Sequence, residues 1–417
     1  MDIKKVKYWK HSSNTRFVLV EDKNSPLISI DIWCKAGISF EQKEKEGIAH
    51  FLEHMIFKGS NKLKPGEFDY KIESLCGSSN ASTGYDDSHY YVLIPSDNLE
   101  ESLSLLTNLV FNLEINANEF ELEKAVVIEE LKQQNDQPEE ALYNYFLKRV
   151  WKDHFYGKSI LGREEFINEI KVLDLIKFYN ERYIPDNICI ALVGNLPKNI
   201  FSILENCQIK YKNDNKEINK YEKFSNCSIR SGREKVSFEK LELSRLIMAW
   251  KVPSLRDQKS IIGLEILTSL LVDGRNSKLI KPLKEEQNLV ESIYADINTG
   301  EFGSLMIIEA CCSKQNLEIV EAKINNVLKQ LIKFENYSID ELSKAIRIVK
   351  SNYYFNLETA AQLSSYFGNH LLWERKYPIR DLEINLEYWC SKGKFKTIIN
   401  FLNKNKYTLI ANGKNSE

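Results

Sequence analysis

The chain has 417 residues, with 43% hydrophobic and 28% charged residues and a formal net charge of −2. This length points to about two to four domains, and the composition excludes global disorder, a collagen-like chain and a disulfide mini-scaffold. A near-neutral balance gives no bulk attraction to nucleic acid or anionic lipid, so neither is expected as a partner.

No apolar run approaches the ~18 residues of a membrane span, and residues 1–21 show no continuous apolar core of a secretory signal. Eight cysteines are scattered without a Cys-x-x-Cys pair, which suits reduced thiols and a cytoplasmic location.

In chain order, residues 16–20 and 27–35 read as strands joined by a polar turn. Residues 43–58 read as a helix closed by Gly59, and 68–75 as a second helix. Residues 80–94, rich in Thr, Tyr, Val and Ile, read as one strand. Helical periodicity follows over 99–111, 118–134, 139–151 and 173–183, then a short apolar strand over 188–193.

Residues 210–234 are dense in Lys, Asn, Glu and Ser and read as an interdomain linker. The pattern then restarts: strand 241–250, helix 259–271, strand 304–310, helices from 316 to 389, and a last strand near 407–411. The expected organisation is an N-terminal domain over 1–209, a linker over 210–234 and a C-terminal domain over 235–417. The two halves repeat an α+β order, which suggests an internal duplication.

One motif stands out. Residues 50–54 read His-Phe-Leu-Glu-His, so His50, Glu53 and His54 share one face of the expected helix. Two imidazoles a turn apart can hold one zinc ion, and a glutamate on that face can serve as general base to water at the metal. A third ligand must come from elsewhere. The 118–134 helix offers Glu123, Glu129 and Glu130. Glu123 and Glu130 are seven apart and share a face, while Glu129 points ~100° from Glu130. Val126 and Val127 lie between them and are expected to be buried. His89 alternates with tyrosines in a strand and reads as packed or hydrogen-bonded, while His11, His154 and His370 are isolated and read as structural or surface residues.

The sequence resembles the pitrilysin/insulinase family of zinc metallopeptidases, the inverzincins, nearest to its mitochondrial processing peptidase-like branch. The resemblance spans nearly the whole chain. It rests on Gly47-Ile48-Ala49-His50-Phe51-Leu52-Glu53-His54-Met55-Ile56-Phe57-Lys58-Gly59, on Asn80-Ala81-Ser82-Thr83 after Gly77, on residues 126–131 and on Tyr183-Ile184-Pro185-Asp186-Asn187. It implies that the third ligand is Glu130, 76 residues after His54, and that Glu123 orients a ligand histidine. It implies one Zn2+ per chain and Glu53 as the catalytic base. It also implies two homologous α+β domains, each a mostly antiparallel mixed sheet packed with helices, and a clam-shell chamber formed on dimerisation. The peptide substrate would add as a strand along Gly77, Asn80, Ala81, Ser82 and Thr83.

The sequence departs from this family at a pair seven residues apart in the C-terminal domain. An arginine and a tyrosine there hold the substrate carbonyl and stabilise the oxyanion. The matching positions carry Lys284 and Glu291, and an ionised glutamate would repel an oxyanion. The expected protein is a zinc endopeptidase acting with a homologous subunit that lacks the zinc motif. A homodimer in which Tyr294 fills in is the alternative partner arrangement. A non-catalytic core-type or peptide-holding subunit is the alternative function.

Overall fold

Two separate sheets organise the molecule, a computed structural model that describes residues 6–207, 209, 211, 227–333, 337–375 and 381–414. The first sheet contains β1 (Val6–Lys10), β2 (Arg16–Glu21), β3 (Leu27–Cys34), β4 (Ser78–Thr83), β5 (Ser88–Pro95) and β6 (Ile188–Gly194), in the spatial order β1-β2-β6-β3-β5-β4. Only the β2–β6 pair is parallel; its neighbours pair antiparallel. The second sheet contains β7 (Gly232–Ser237), β8 (Ser244–Val252), β9 (Ser292–Asn298), β10 (Ser304–Cys312) and β11 (Lys406–Asn412), in the order β7-β11-β8-β10-β9. Its single parallel pair is β7–β11. Removing β1 makes the two orders superimposable, β2-β6-β3-β5-β4 onto β7-β11-β8-β10-β9. The chain therefore contains two α+β domains of one topology.

The first compact unit takes residues Met1–Gln133, Ser159–Asn219 and Phe355–Tyr377. One face of its sheet is covered by α1 (Ile48–Phe57), α2 (Glu67–Ser74), α3 (Leu99–Phe111), α4 (Ala117–Asp136), α6 (Glu164–Glu169), α7 (Val172–Arg182) and α8 (Ile200–Glu205). Alternation decides which strand residues meet these helices. Tyr90, Val92 and Ile94 of β5 are fully buried there, while His89 and Tyr91 turn to the other face. That other face carries α12 (Ala360–Leu372) over β3 and β6. Ser29 and Ser364 meet there hydroxyl to hydroxyl at 2.6 Å.

The second compact unit takes Gln134–Lys158, Lys220–Tyr354 and Pro378–Glu417. Its core joins the second sheet to α9 (Gln258–Val272), α10 (Leu317–Ile332), α11 (Ile339–Phe355), α13 (Leu382–Trp389) and α14 (Lys392–Ile399). It also includes α5 (Pro138–Val150), whose Tyr145 donates to Glu234 of β7 at 2.7 Å. Each unit thus contains a helix contributed by the opposite end of the chain.

Several sequence expectations are corrected. The helix expected from 43 starts at Ile48, because Gly47 is left-handed (φ 95°) and breaks the helical path. The single strand expected over 80–94 is a hairpin, β4 and β5, turned at 84–87. Of the stretch read as a linker, residues 210 and 212–226 lie outside the described residues, and Gly232–Glu234 already belong to β7. Val126 is 50% exposed while Val127 is fully buried, since the inward stripe of α4 runs through Phe120, Glu123, Val127 and Leu131. The eight cysteines are all free thiols, five of them buried. Among the described residues no helix is long and apolar enough to cross a membrane.

Candidate metal centre

The start of α1 is fixed by local chemistry. Gly47 and Gly162 touch: a Cβ on Gly162 would fall 2.4 Å from the Glu46 carbonyl oxygen, and Gly162 is itself at φ 77°. The Glu41 carboxylate accepts from the Gly47 N–H at 3.1 Å and the Ala49 N–H at 3.0 Å. An anion at a helix N-terminus satisfies open N–H groups and opposes the positive end of the dipole. From this start α1 buries Ile48, Ala49, Phe51, Leu52, Met55 and Ile56. Phe51 and Leu52 are fully buried, and each contributes about 2 kcal/mol by burial. The Phe51 ring meets Phe120 of α4 with centroids 5.1 Å apart, which sets the two helices together.

His50, Glu53 and His54 then share the side of α1 that faces α4. His50 Nε2 lies 3.8 Å and His54 Nε2 3.4 Å from Glu130 Oε2. Among the described residues these three form the one group of His, Cys, Asp or Glu with ligand atoms mutually within 4.8 Å. Tetrahedral donors ~2.05 Å from zinc stand about 3.4 Å apart, so the separations fit that ion with small adjustments. Glu130 is 45% exposed on its side chain, which leaves the group open on one side.

Glu123 lies behind His54. It is buried, accepts from His54 Nδ1 at 2.8 Å and pairs with Lys58 Nζ at 2.7 Å. A proton on Nδ1 leaves the Nε2 lone pair free toward Glu130. Burial, and then the neighbouring His54, push the His50 pKa down to about 3, so its imidazole is neutral, as a metal ligand must be. Its Nδ1 is buried without a hydrogen-bond partner.

Glu53 is also buried. Burial raises its carboxyl above the ordinary range, and the Thr83 hydroxyl, His54 and His89 pull it partly back. Its Oε2 is buried without a hydrogen-bond partner.

β4 is the outermost strand of its sheet. Ser78, Asn80 and Ser82 are exposed, whereas Thr83 is buried, so its side chain does not face outward with theirs. Asn80 Oδ1 accepts from the Ala81 N–H at 2.8 Å. Gly77 precedes the strand, where a Cβ would fall 2.6 Å from the Ile94 side chain.

Lys284 and Glu291 belong to the second unit and are in contact, but not as an ion pair. Lys284 Nζ donates to the Glu291 backbone carbonyl at 2.7 Å. Tyr294 is 63% exposed.

Glu41 and Lys58 carried no signal in the sequence, being common polar residues whose roles come from tertiary contact. His89, expected to be packed or hydrogen-bonded, is both: the ring stacks on Trp33 at 4.1 Å, and its Nδ1 lies 3.0 Å from the buried Asp31 carboxylate.

A His-x-x-Glu-His sequence, here on a helix facing a glutamate of a second helix, is the signature of inverzincin-type peptidases. Comparison with known families agrees. Residues 16–164 match the family model described as insulinase (peptidase family M16), and residues 169–349 match the model described as peptidase M16 inactive domain. The chain belongs to the M16, or insulinase, peptidase family. It is 28% identical over 362 residues to the zinc protease PqqE of Helicobacter pylori, covering 85% of this chain and 80% of that protein. It is 24% identical over 392 residues to the bovine (Bos taurus) mitochondrial-processing peptidase subunit beta, covering 89% and 76%. The crystal structure of a protease from Helicobacter pylori has the same fold, with a TM-score of 0.88 at 23% identity over 98% of this chain and 100% of that one.

Proposed function

We propose that this protein is a zinc-dependent endopeptidase, with His50, His54 and Glu130 holding one zinc per chain and Glu53 acting as general base. The observation that carries this reading is the convergence of three donor atoms on one point with the buried, unpartnered Glu53 oxygen on the same helix face. Bound zinc supplies a Lewis acid that polarises a carbonyl and lowers the pKa of water to about 7. The protein does the rest. Neutral His50 and the Glu123-oriented His54 present lone pairs at Nε2. Glu53 accepts a proton at its open oxygen and returns it to the leaving amine. The edge of β4, from Gly77 through Asn80, Ala81, Ser82 and Thr83, is the proposed seat of an extended peptide, held mainly by backbone hydrogen bonds.

The proposed organisation is an N-terminal domain over 1–209, a linker from 210 that ends before β7 at Gly232, and a C-terminal domain from there to 417, and the proposed assembly is a chamber formed with a homologous subunit that lacks the zinc motif. Two observations support a partner. The lysine at the arginine position donates to the backbone carbonyl of Glu291, and one relative is named as a beta subunit. A homodimer is the competing arrangement. A second reading, a peptide-holding subunit without turnover, is favoured only by Lys284 and Glu291 in place of the oxyanion-binding pair. Zinc analysis with cleavage of a quenched fluorescent peptide, with and without the homologous partner, separates these. Zinc with partner-stimulated cleavage supports the proposal, and zinc or peptide binding without any turnover supports the second reading.

A further inference from the structure

β4 is an edge strand, paired on one side only, yet both of its ends are tied down. Near its start the Ser79 hydroxyl donates to the Asp69 carboxylate of α2 at 3.0 Å. At its other end the turn over 84–87 is gripped from two directions. The Ile38 and Ser39 N–H groups donate to the Gly84 and Tyr85 carbonyls at 3.3 and 2.8 Å. From the end of α12, Asn369 Nδ2 and Trp373 Nε1 both donate to one oxygen, Asp87 Oδ2, at 3.0 and 2.8 Å. Arg375 donates to the Asn369 Oδ1. A guanidinium offers only donors, so it fixes the amide with its NH2 toward Asp87. α12 is itself a firm anchor. Gly368 lies so close to Trp33 of β3 that a Cβ would fall 2.4 Å from the indole ring.

We infer that Asp87 is a positioning residue for the peptide: it ties the β4–β5 turn to α12 and so sets the line of the β4 edge on which a bound strand pairs. The inference deepens the proposed peptide seat along β4 and rests on it. The Asp87 contacts are not needed to choose the register of β4 on β5, which the run of pairs from Ser78↔Leu93 to Thr83↔Ser88 already sets. What they add is rigidity at an edge, where a strand lacks a second neighbour. Joining a preformed edge carries no ordering cost, whereas a loose edge must be ordered on binding and loses affinity. The proposed metal ligands and base lie on α1 and α4, so the loss falls on binding and not on the chemical step.

Asp87→Asn keeps an acceptor oxygen for both donors, whereas Asp87→Ala removes it. In the zinc-loaded protein, with its homologous partner where cleavage requires one, Asp87→Ala is expected to raise KM for a quenched fluorescent peptide about five- to twentyfold. Its kcat should stay within about twofold of wild type and its zinc content unchanged. Asp87→Asn should keep KM within about threefold of wild type. Trp373→Phe removes one donor and keeps an aromatic ring. It should raise KM less, and it serves where Asp87→Ala does not fold. Hydrogen exchange read by mass spectrometry needs no turnover. In Asp87→Ala the amides of residues 78–83 should exchange at least about tenfold faster, while those of α1 keep the wild-type rate. Three results overturn the inference: an unchanged KM in Asp87→Ala, or in Trp373→Phe where that variant alone folds; a loss confined to kcat; or exchange that speeds equally in α1. Wild type that neither binds nor cleaves peptide overturns the peptide seat instead, and exchange over 78–83 then decides the clamp by itself.

Discussion

The Glu123 carboxylate and His54 Nδ1 stand 2.8 Å apart, and this contact decides which face of the His54 ring is offered to Glu130. The same carboxylate is held by Lys58 at 2.7 Å, so the orienting group is itself oriented. An amide at 123 would keep the shape but lose the charge that steers the ring and its partner lysine. Glu123→Gln is therefore expected to weaken zinc binding about 10- to 100-fold while leaving some bound at high zinc. Competition with a chelator of known affinity measures it.

Removing the base has a different signature. Glu53→Gln should retain zinc and the fold and lose nearly all turnover, since the amide accepts no proton. Zinc analysis beside peptide cleavage checks both halves, and retained cleavage would remove Glu53 from the role.

The metal-free protein should lose stability on acidification partly through His50. Its folded pKa lies near 3, below the ordinary 6.5 of the unfolded chain. Between those values the unfolded state binds more protons, so stability rises with pH across that window and is lost as pH falls through it. His154 and His370 are depressed in the same direction by burial, so the slope is shared. His50→Asn should make the slope shallower by at most about 1.4 kcal/mol per pH unit. Denaturant unfolding of zinc-free wild type and variant between pH 4 and 6 measures the difference, and equal slopes would show that His50 is not held neutral.

Assembly predicts a kinetic effect. Mixing the chain with a homologous subunit lacking the zinc motif should raise kcat rather than only lower KM, because carbonyl-binding groups act on the transition state. Strong cleavage by the isolated chain, unchanged by any such partner, would favour the homodimer.

The metal cluster was largely legible because helical spacing is rigid. Spacings of three and four translate directly into a shared face for His50, Glu53 and His54, whereas the choice of Glu130 as third ligand and of Glu123 as orienting group came from the family resemblance and not from spacing. Burial on α4 was less legible. Val126 and Val127 are alike in hydropathy, and only the packing of Phe120, Glu123, Val127 and Leu131 decides which one turns inward. β7 was hidden in a charged stretch, Gly-Arg-Glu-Lys-Val-Ser, because its strand state comes from pairing with β11, 175 residues on. The β4–β5 hairpin was hidden by continuous strand-forming residues on both sides of a four-residue turn.

Zinc content per chain after dialysis tests Glu130 as the third ligand most directly. Wild type and Glu53→Gln should each hold about one zinc, and Glu130→Gln should hold almost none. Full zinc in Glu130→Gln, or none in wild type reconstituted with zinc, would contradict it.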